Sequence, residues 1–191
     1  MRRIFSILML ALIWCTCTLV PAIADEESGK EVAQYRIRIA FIYNFLKFVD
    51  WPGAVTPKTS NAATVCIVGD KDFSNYFTSF EQAHRQNFAV TINTTASGNA
   101  LESCHVLFVG KDAEDSISSL LSHVVHHPVL SISESKGFAD EGGIIEMVTV
   151  GKSIGLFSKD KINLRINLKS AEASGLSIDA RLLQIAAEVI K

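Results

Sequence analysis

Two stretches decide the fold: Thr64-Val65-Cys66-Ile67-Val68-Gly69-Asp70 and His105-Val106-Leu107-Phe108-Val109-Gly110-Lys111-Asp112. Each is a short apolar run closed by a glycine and an aspartate, the pattern of a buried strand followed by a turn. Between them, Phe73 to Ala83 reads as a helix. Phe88 to Ile92 alternates and is β-branched, so it reads as a strand, and Asn93 to Asn99 reads as a loop. Beyond them, Ala113 to Val125 carries Ile117, Leu120, Leu121 and Val124 at helical spacing, and Val129 to Ile132 reads as the next strand. This strand–helix rhythm over residues 64–132 predicts a mostly parallel sheet covered by helices.

The flanks differ. Glu31 to Val49 reads as one long helix, acidic at its start and nearly all apolar from Ile37 onward, stopped by Trp51-Pro52-Gly53. Val55 to Ala63 reads as a polar loop. After Gly142-Gly143, three apolar runs (Ile144 to Val150, Ile154 to Phe157 and Ile162 to Ile166) follow too closely for parallel crossovers, so this part is expected to be antiparallel. Leu168 to Ser174 reads as a short helix stopped by Gly175. Ser177 is the expected cap of a last helix with an apolar stripe of Ile178, Leu182, Ile185, Ala186 and Val189. The expected architecture is a three-layer α/β domain: a mostly parallel mixed sheet, helices on both faces and an antiparallel C-terminal portion.

Residues 1–24 read as a cleavable export signal. Arg2 and Arg3 precede an apolar run from Ile4 to Val20, and Pro21-Ala22-Ile23-Ala24 supplies the helix break and the small residues of a cleavage site. A permanent anchor is the alternative, but the run is at the short end of the roughly 17–25 residues needed to span a membrane. Trp14 before Cys15 argues against a lipoprotein; the Arg pair could suggest twin-arginine export, but it is also an ordinary signal n-region. Residues 25–191 then form a single domain. With 48% hydrophobic residues it is rich enough to fold as a globule. Export removes Arg2 and Arg3 and leaves a net charge of about −4, with no Lys/Arg cluster, so nucleic acid and a polybasic membrane patch are not expected partners.

Cys15 and Cys17 leave with the signal; Cys66 and Cys104 remain. In an exported domain two such cysteines, each beside an apolar run, are expected to pair; two free buried thiols are the alternative. The closed loop of about 39 residues would contribute about 3–4 kcal/mol in the chain-entropy account. A zinc site lacks the paired spacing it needs.

Four stretches taken together resemble a known family: Phe41 to Pro52 (the helix ending in Trp-Pro); Cys66-Ile67-Val68-Gly69; Cys104 to Val109; and Gly142-Gly143-Ile144-Ile145 continuing to Leu164-Arg165-Ile166-Asn167-Leu168 and Ser174-Gly175-Leu176-Ser177-Ile178. They look like the YfiR-like periplasmic proteins, in order and over nearly all of residues 25–191. The resemblance implies a periplasmic repressor that binds the sensor region of an inner-membrane signalling protein, a diguanylate cyclase in the best-understood case, and so lowers cyclic di-GMP signalling and biofilm formation. An outer-membrane lipoprotein can sequester such a repressor. Cys66 and Cys104 match a family disulfide. A second cysteine pair expected near Gly143 to Val150 is absent here, which puts any redox behaviour tied to it in doubt.

The search for chemistry is mostly negative. Gly151-Lys152-Ser153-Ile154-Gly155 matches the nucleophile-elbow pattern, but that elbow needs strand, turn and helix, and a histidine after the serine. All five histidines precede Ser153, which is assigned to a hairpin turn. His123, His126 and His127 near a helix end could present two nitrogens to a metal; polar residues at a helix C-terminus explain them as well. Asp112, Glu114 and Asp115 are explained by a helix start. No catalytic set, metal site or cofactor is expected. Phe41, Tyr43, Phe45 and Phe48 fall on more than one helix face. They make either a core helix covered on both sides or an exposed patch for a partner or a paired copy of the chain. Tyr43, Phe45 and Arg165 are the candidate partner-binding residues. The expected function is a non-enzymatic adaptor acting by protein contact; a small-ligand-binding module using the crevice at the strand ends is the alternative, and a serine hydrolase a distant third.

Overall fold

The computed structural model describes residues 22–53, 56–84, 89–154 and 157–191; side chains are described for these except residues 22–28, 151–154 and 157–160. Of the export signal read at residues 1–24, residues 1–21 lie outside the described residues. Two units are distinguished, residues up to Arg38 and Ile39 to Lys191. In the first, the Tyr35 hydroxyl donates to Glu31 one helical turn away, and the Arg38 guanidinium lies over the Tyr35 ring.

Helix α1 (Ala22–Phe48) precedes β1 (Val49–Asp50) and one turn of helix, α2 (Pro57–Ser60), capped by Thr56. The polar loop expected over 55–63 therefore contains this turn and the start of β2 (Ala62–Val68). There follow α3 (Lys71–Ala83), β3 (Ala89–Asn93), a 3-10 segment (Gly98–Ser103) and β4 (Val106–Val109). A second 3-10 segment (Lys111–Ser116) leads into α4 (Ile117–Val124) and β5 (Leu130–Ser133).

Strands β3-β2-β4-β5 are mutually parallel. The chain steps from β2 to β3 in one direction and from β4 to β5 in the other. Right-handed crossovers then put α3 and α4 on opposite faces of the sheet, which makes the three layers. The two faces of β4 follow the period of two. Leu107 and Val109 join Cys66, Leu101, Cys104, Ile117, Leu121, Val124 and Phe138 in one buried cluster. Phe108 points the other way and packs on Phe73, ring centroids 5.0 Å apart, with Phe73 in turn on Phe77.

The C-terminal part departs from expectation in three places. Two long strands, β6 (Ile145–Ile154) and β7 (Phe157–Asn167), replace the three short ones, and pair antiparallel from Ile145↔Ile166 to Ile154↔Phe157. Ser153 is thus a strand residue opposite Ser158 rather than a turn residue; Gly155 lies outside the described residues. After α5 (Leu168–Ala173), with Gly175 at φ +71° where a stop was expected, Ser177 belongs to β8 (Ser177–Ile178), which pairs with β1. The last helix is only α6 (Ala180–Ile185), capped by Asp179 through Arg181 N. The rest of its expected stripe is β9 (Glu188–Ile190), paired in parallel with β7. Ile185 is 67% exposed. Pairing with β7 outweighed the helical spacing, because otherwise β7 would be left as an open edge.

Candidate functional site

The charged residues of the family-like ending converge at the β6–β7–β9 side of the sheet. Ladder pairing puts Arg165 opposite Glu146 on β6 and beside Glu188 on β9, so the three form one cross-strand row. Arg165 Nε donates to Glu188 at 2.6 Å and Nη1 to Glu146 at 2.8 Å. Nη1 and Nη2 also fork onto the two oxygens of Asp140, each at 2.9 Å. Such a planar fork matches a carboxylate in two places at once. Hydrogen bonds to Asp140 and Glu188 hold the guanidinium firmly charged, and the same contact keeps the Asp140 carboxyl below its usual range.

Glu146 is the deep member, with 1% of its surface exposed. It also accepts the backbone N–H groups of Gly137 and Ala139, at 3.2 and 3.1 Å. Asn167, two residues after Arg165 and so on the same face, donates from Nδ2 to Ala139 O at 2.8 Å and accepts from Ser170 N, capping α5. Gly143 has no room for a Cβ, since one would lie 2.1–2.6 Å from the enclosed Phe138 ring. Gly142 takes φ +101°. The pattern Gly142-Gly143 to Arg165-x-Asn167 is thus a clasp. It fastens residues 134–144 to the β6–β7 ladder and satisfies a buried carboxylate.

The long helix divides the other two candidates. Phe45 is fully buried, with Ile42 and Leu46, so its ring has no surface to offer a partner in this fold. Tyr43 is half-buried. Its hydroxyl donates to Glu81 of α3 and its ring meets Phe77 edge-on, 6.3 Å between centroids. Burial first, and then the Glu81 carboxylate, push the Tyr43 hydroxyl far above its ordinary pKa. Tyr43 joins α1 to α3 while keeping some exposed surface. Arg165 keeps about a fifth of its side chain exposed, and the outer carboxylates Asp140 and Glu188 are more than half exposed.

Cys66 and Cys104 are bridged, with Cα atoms 5.9 Å apart, inside the apolar cluster beneath α4. The bridge ties β2 to the end of the first 3-10 segment. Among the described residues no three His, Cys, Asp or Glu side chains gather as metal ligands. His127 faces Glu102 at 3.6 Å. Glu114 accepts from Ser135 Oγ at 2.8 Å, which separates it from Asp112 and Asp115 as part of a strand-end network with Ser133.

Sequence reasoning missed Glu146, Asp140 and Glu188. A signal existed for the first: a lone carboxylate in Ile144-Ile145-Glu146-Met147-Val148 is a charge inside a buried strand, which demands a partner. It also missed His105, whose Nδ1 accepts Thr64 N at 3.0 Å beside the Trp51 ring. Burial lowers the His105 pKa. The unfolded chain therefore binds a proton that the folded chain resists, so stability is full above about pH 6.5 and falls as pH drops below it. Urea unfolding across pH 5–7 should show this loss, and His105→Gln should flatten it.

Comparison with known proteins follows the same residues. The profile of the YfiR/HmsC-like family (DUF4154) matches residues 35–187. A search of curated proteins finds no significant match. Among solved structures, one similar to this chain is a conserved domain protein from Vibrio cholerae O1 biovar El Tor, at 15% identity and a TM-score of 0.48 over 66% of this chain and 54% of that one. Another is the ABC domain in complex with L-Trp from Streptococcus pneumonia, at 17% identity and a TM-score of 0.46 over 69% and 58%. The chain thus spans somewhat more than half the length of each. The stretch Phe41 to Pro52, the bridged cysteines and the pattern Gly142-Gly143 to Arg165-x-Asn167 fall within the matched residues, and the chain belongs to the YfiR/HmsC-like family.

Proposed function

We propose that this protein is a periplasmic, non-enzymatic adaptor that holds an inner-membrane signalling protein inactive by contact with its periplasmic sensor region, with a diguanylate cyclase as the partner. The family match over residues 35–187 supports the periplasmic regulatory role. The observation that carries the adaptor reading is the clasp. The motif's charged side chains are spent on one another and on backbone N–H groups, instead of converging on an open position where a substrate could react. Ser153 sits in a ladder strand and lacks the strand–turn–helix setting of a nucleophile. Residues 1–24 act as the export signal and residues 25–191 as the working domain. An outer-membrane lipoprotein competes for the protein and relieves repression.

The contact surface includes Tyr43 and the rim of the Arg165 cluster, since both keep exposed surface at polar groups fixed by packing. Placing the photo-crosslinker p-benzoylphenylalanine at position 43 or 188 in growing cells should yield adducts with the periplasmic region of an inner-membrane signalling protein. Adducts only with a second copy would make the surface a homodimer interface, and adducts with no membrane protein would refute the adaptor reading.

A further inference from the structure

The strand order β3-β2-β4-β5 reverses at β2, and in open parallel sheets the crevice outside the strand ends at such a reversal is where ligands sit. Here the two loops at the reversal close on each other. Gly110 N donates to Val68 O at 2.8 Å and Asp112 N to Gly69 O at 3.0 Å. A Cβ on Gly69 would lie 2.4 Å from Ala113 Cβ, and one on Gly110 would lie 2.5 Å from Gly69 O. Backbone against backbone therefore fixes one wall. Beside that wall a cavity of about 370 Å³ remains open, lined by Gly69, Asp70, Lys71, Asn75, Thr94 and Asp112. Its size falls in the range of small-molecule sites.

The lining divides by what each side chain already does. Asp70 is spent, accepting Phe73 N as the cap of α3. The side chains of Lys71, Asn75, Thr94 and Asp112 have no hydrogen-bond or ion-pair partner among the described residues. Lys71 and Asn75 lie four apart on α3 and share a face.

Charge decides what can enter. An apolar molecule would strip water from Lys71 and Asp112 without replacing it. A plain anion would meet the Asp70 and Asp112 carboxylates, and a plain cation would leave the Lys71 ammonium without a partner. A molecule with both charges meets both. We propose that this crevice binds a small hydrophilic zwitterion, its ammonium at Asp112 and its acid group at Lys71, with Asn75 and Thr94 adding neutral hydrogen bonds. The crevice shares no lining residue with the proposed partner surface, and the proposal does not depend on that reading.

The test is a titration of ¹⁵N-labelled protein purified from the envelope with glycine, L-serine and taurine, against acetate and ethanolamine as single-charge controls. The zwitterions should give saturable shifts at the amides of Gly69 to Asn75, Thr94 and Asp112, with a Kd on the order of 1 mM. Asp112→Asn and Lys71→Gln should each weaken binding about tenfold while the unfolding midpoint stays unchanged. Three results would overturn the proposal: no saturable shift from any zwitterion, equal shifts from acetate or ethanolamine, or unaltered affinity in both folded variants.

Discussion

Arg165→Ala should lower the free energy of unfolding by about 3 kcal/mol, within the range for stripping the partner from a buried charge. Arg165 supplies one of three donors to Glu146, and the Gly137 and Ala139 N–H groups stay in place, so the loss belongs at the lower end of that range. The Asp140 and Glu188 contacts add little, because both carboxylates are largely exposed and screened. Glu188→Gln should therefore cost well under 1 kcal/mol. Urea unfolding of the oxidised proteins separates the two variants. A loss below about 1 kcal/mol for Arg165→Ala would mean that the clasp does not hold residues 134–144 as described.

Reduction of the Cys66–Cys104 bridge should cost about 3–4 kcal/mol. The bridge closes a loop between residues 38 apart in sequence, and that constraint acts mainly on the unfolded chain. Comparing oxidised and reduced wild type keeps every side chain the same, which Cys66→Ser would not, since it puts a hydroxyl into an apolar cluster. The urea midpoint should fall on reduction. Equal midpoints, or two free thiols found by alkylation and mass analysis of protein from the envelope, would refute the bridge.

The parallel half of the fold was legible because each level of the sequence agrees there. Apolar runs of strand length, closed by Gly69-Asp70 and Gly110-Lys111-Asp112, alternate with helical patterns, and the strands and helices of residues 62–133 follow them. The helix expected over 113–125 begins as a 3-10 turn at Lys111–Ser116, a shift of boundary only. The C-terminal end was misread where a long-range need outweighed local spacing. Ile178, Leu182, Ile185 and Val189 are spaced for a helix, yet Glu188–Ile190 leave it to cover β7. Of the site, Arg165 and Asn167 were visible as a motif, but their role was not. Three of their partners lie in a loop and on other strands, 19 to 28 residues away along the chain. Phe45 illustrates the opposite difficulty. Aromatic residues on several helix faces fit both a covered helix and a binding face, and only the packed structure separates Phe45 from Tyr43.

The adaptor reading is tested most directly by the cellular cyclic di-GMP level in a strain lacking this protein, measured beside the same strain carrying the wild-type gene. Loss of a repressor frees its membrane enzyme, so cyclic di-GMP and surface attachment should rise in the deletion strain and return to the starting level with the restored gene. An unchanged cyclic di-GMP level, with every candidate membrane partner expressed, would contradict the account.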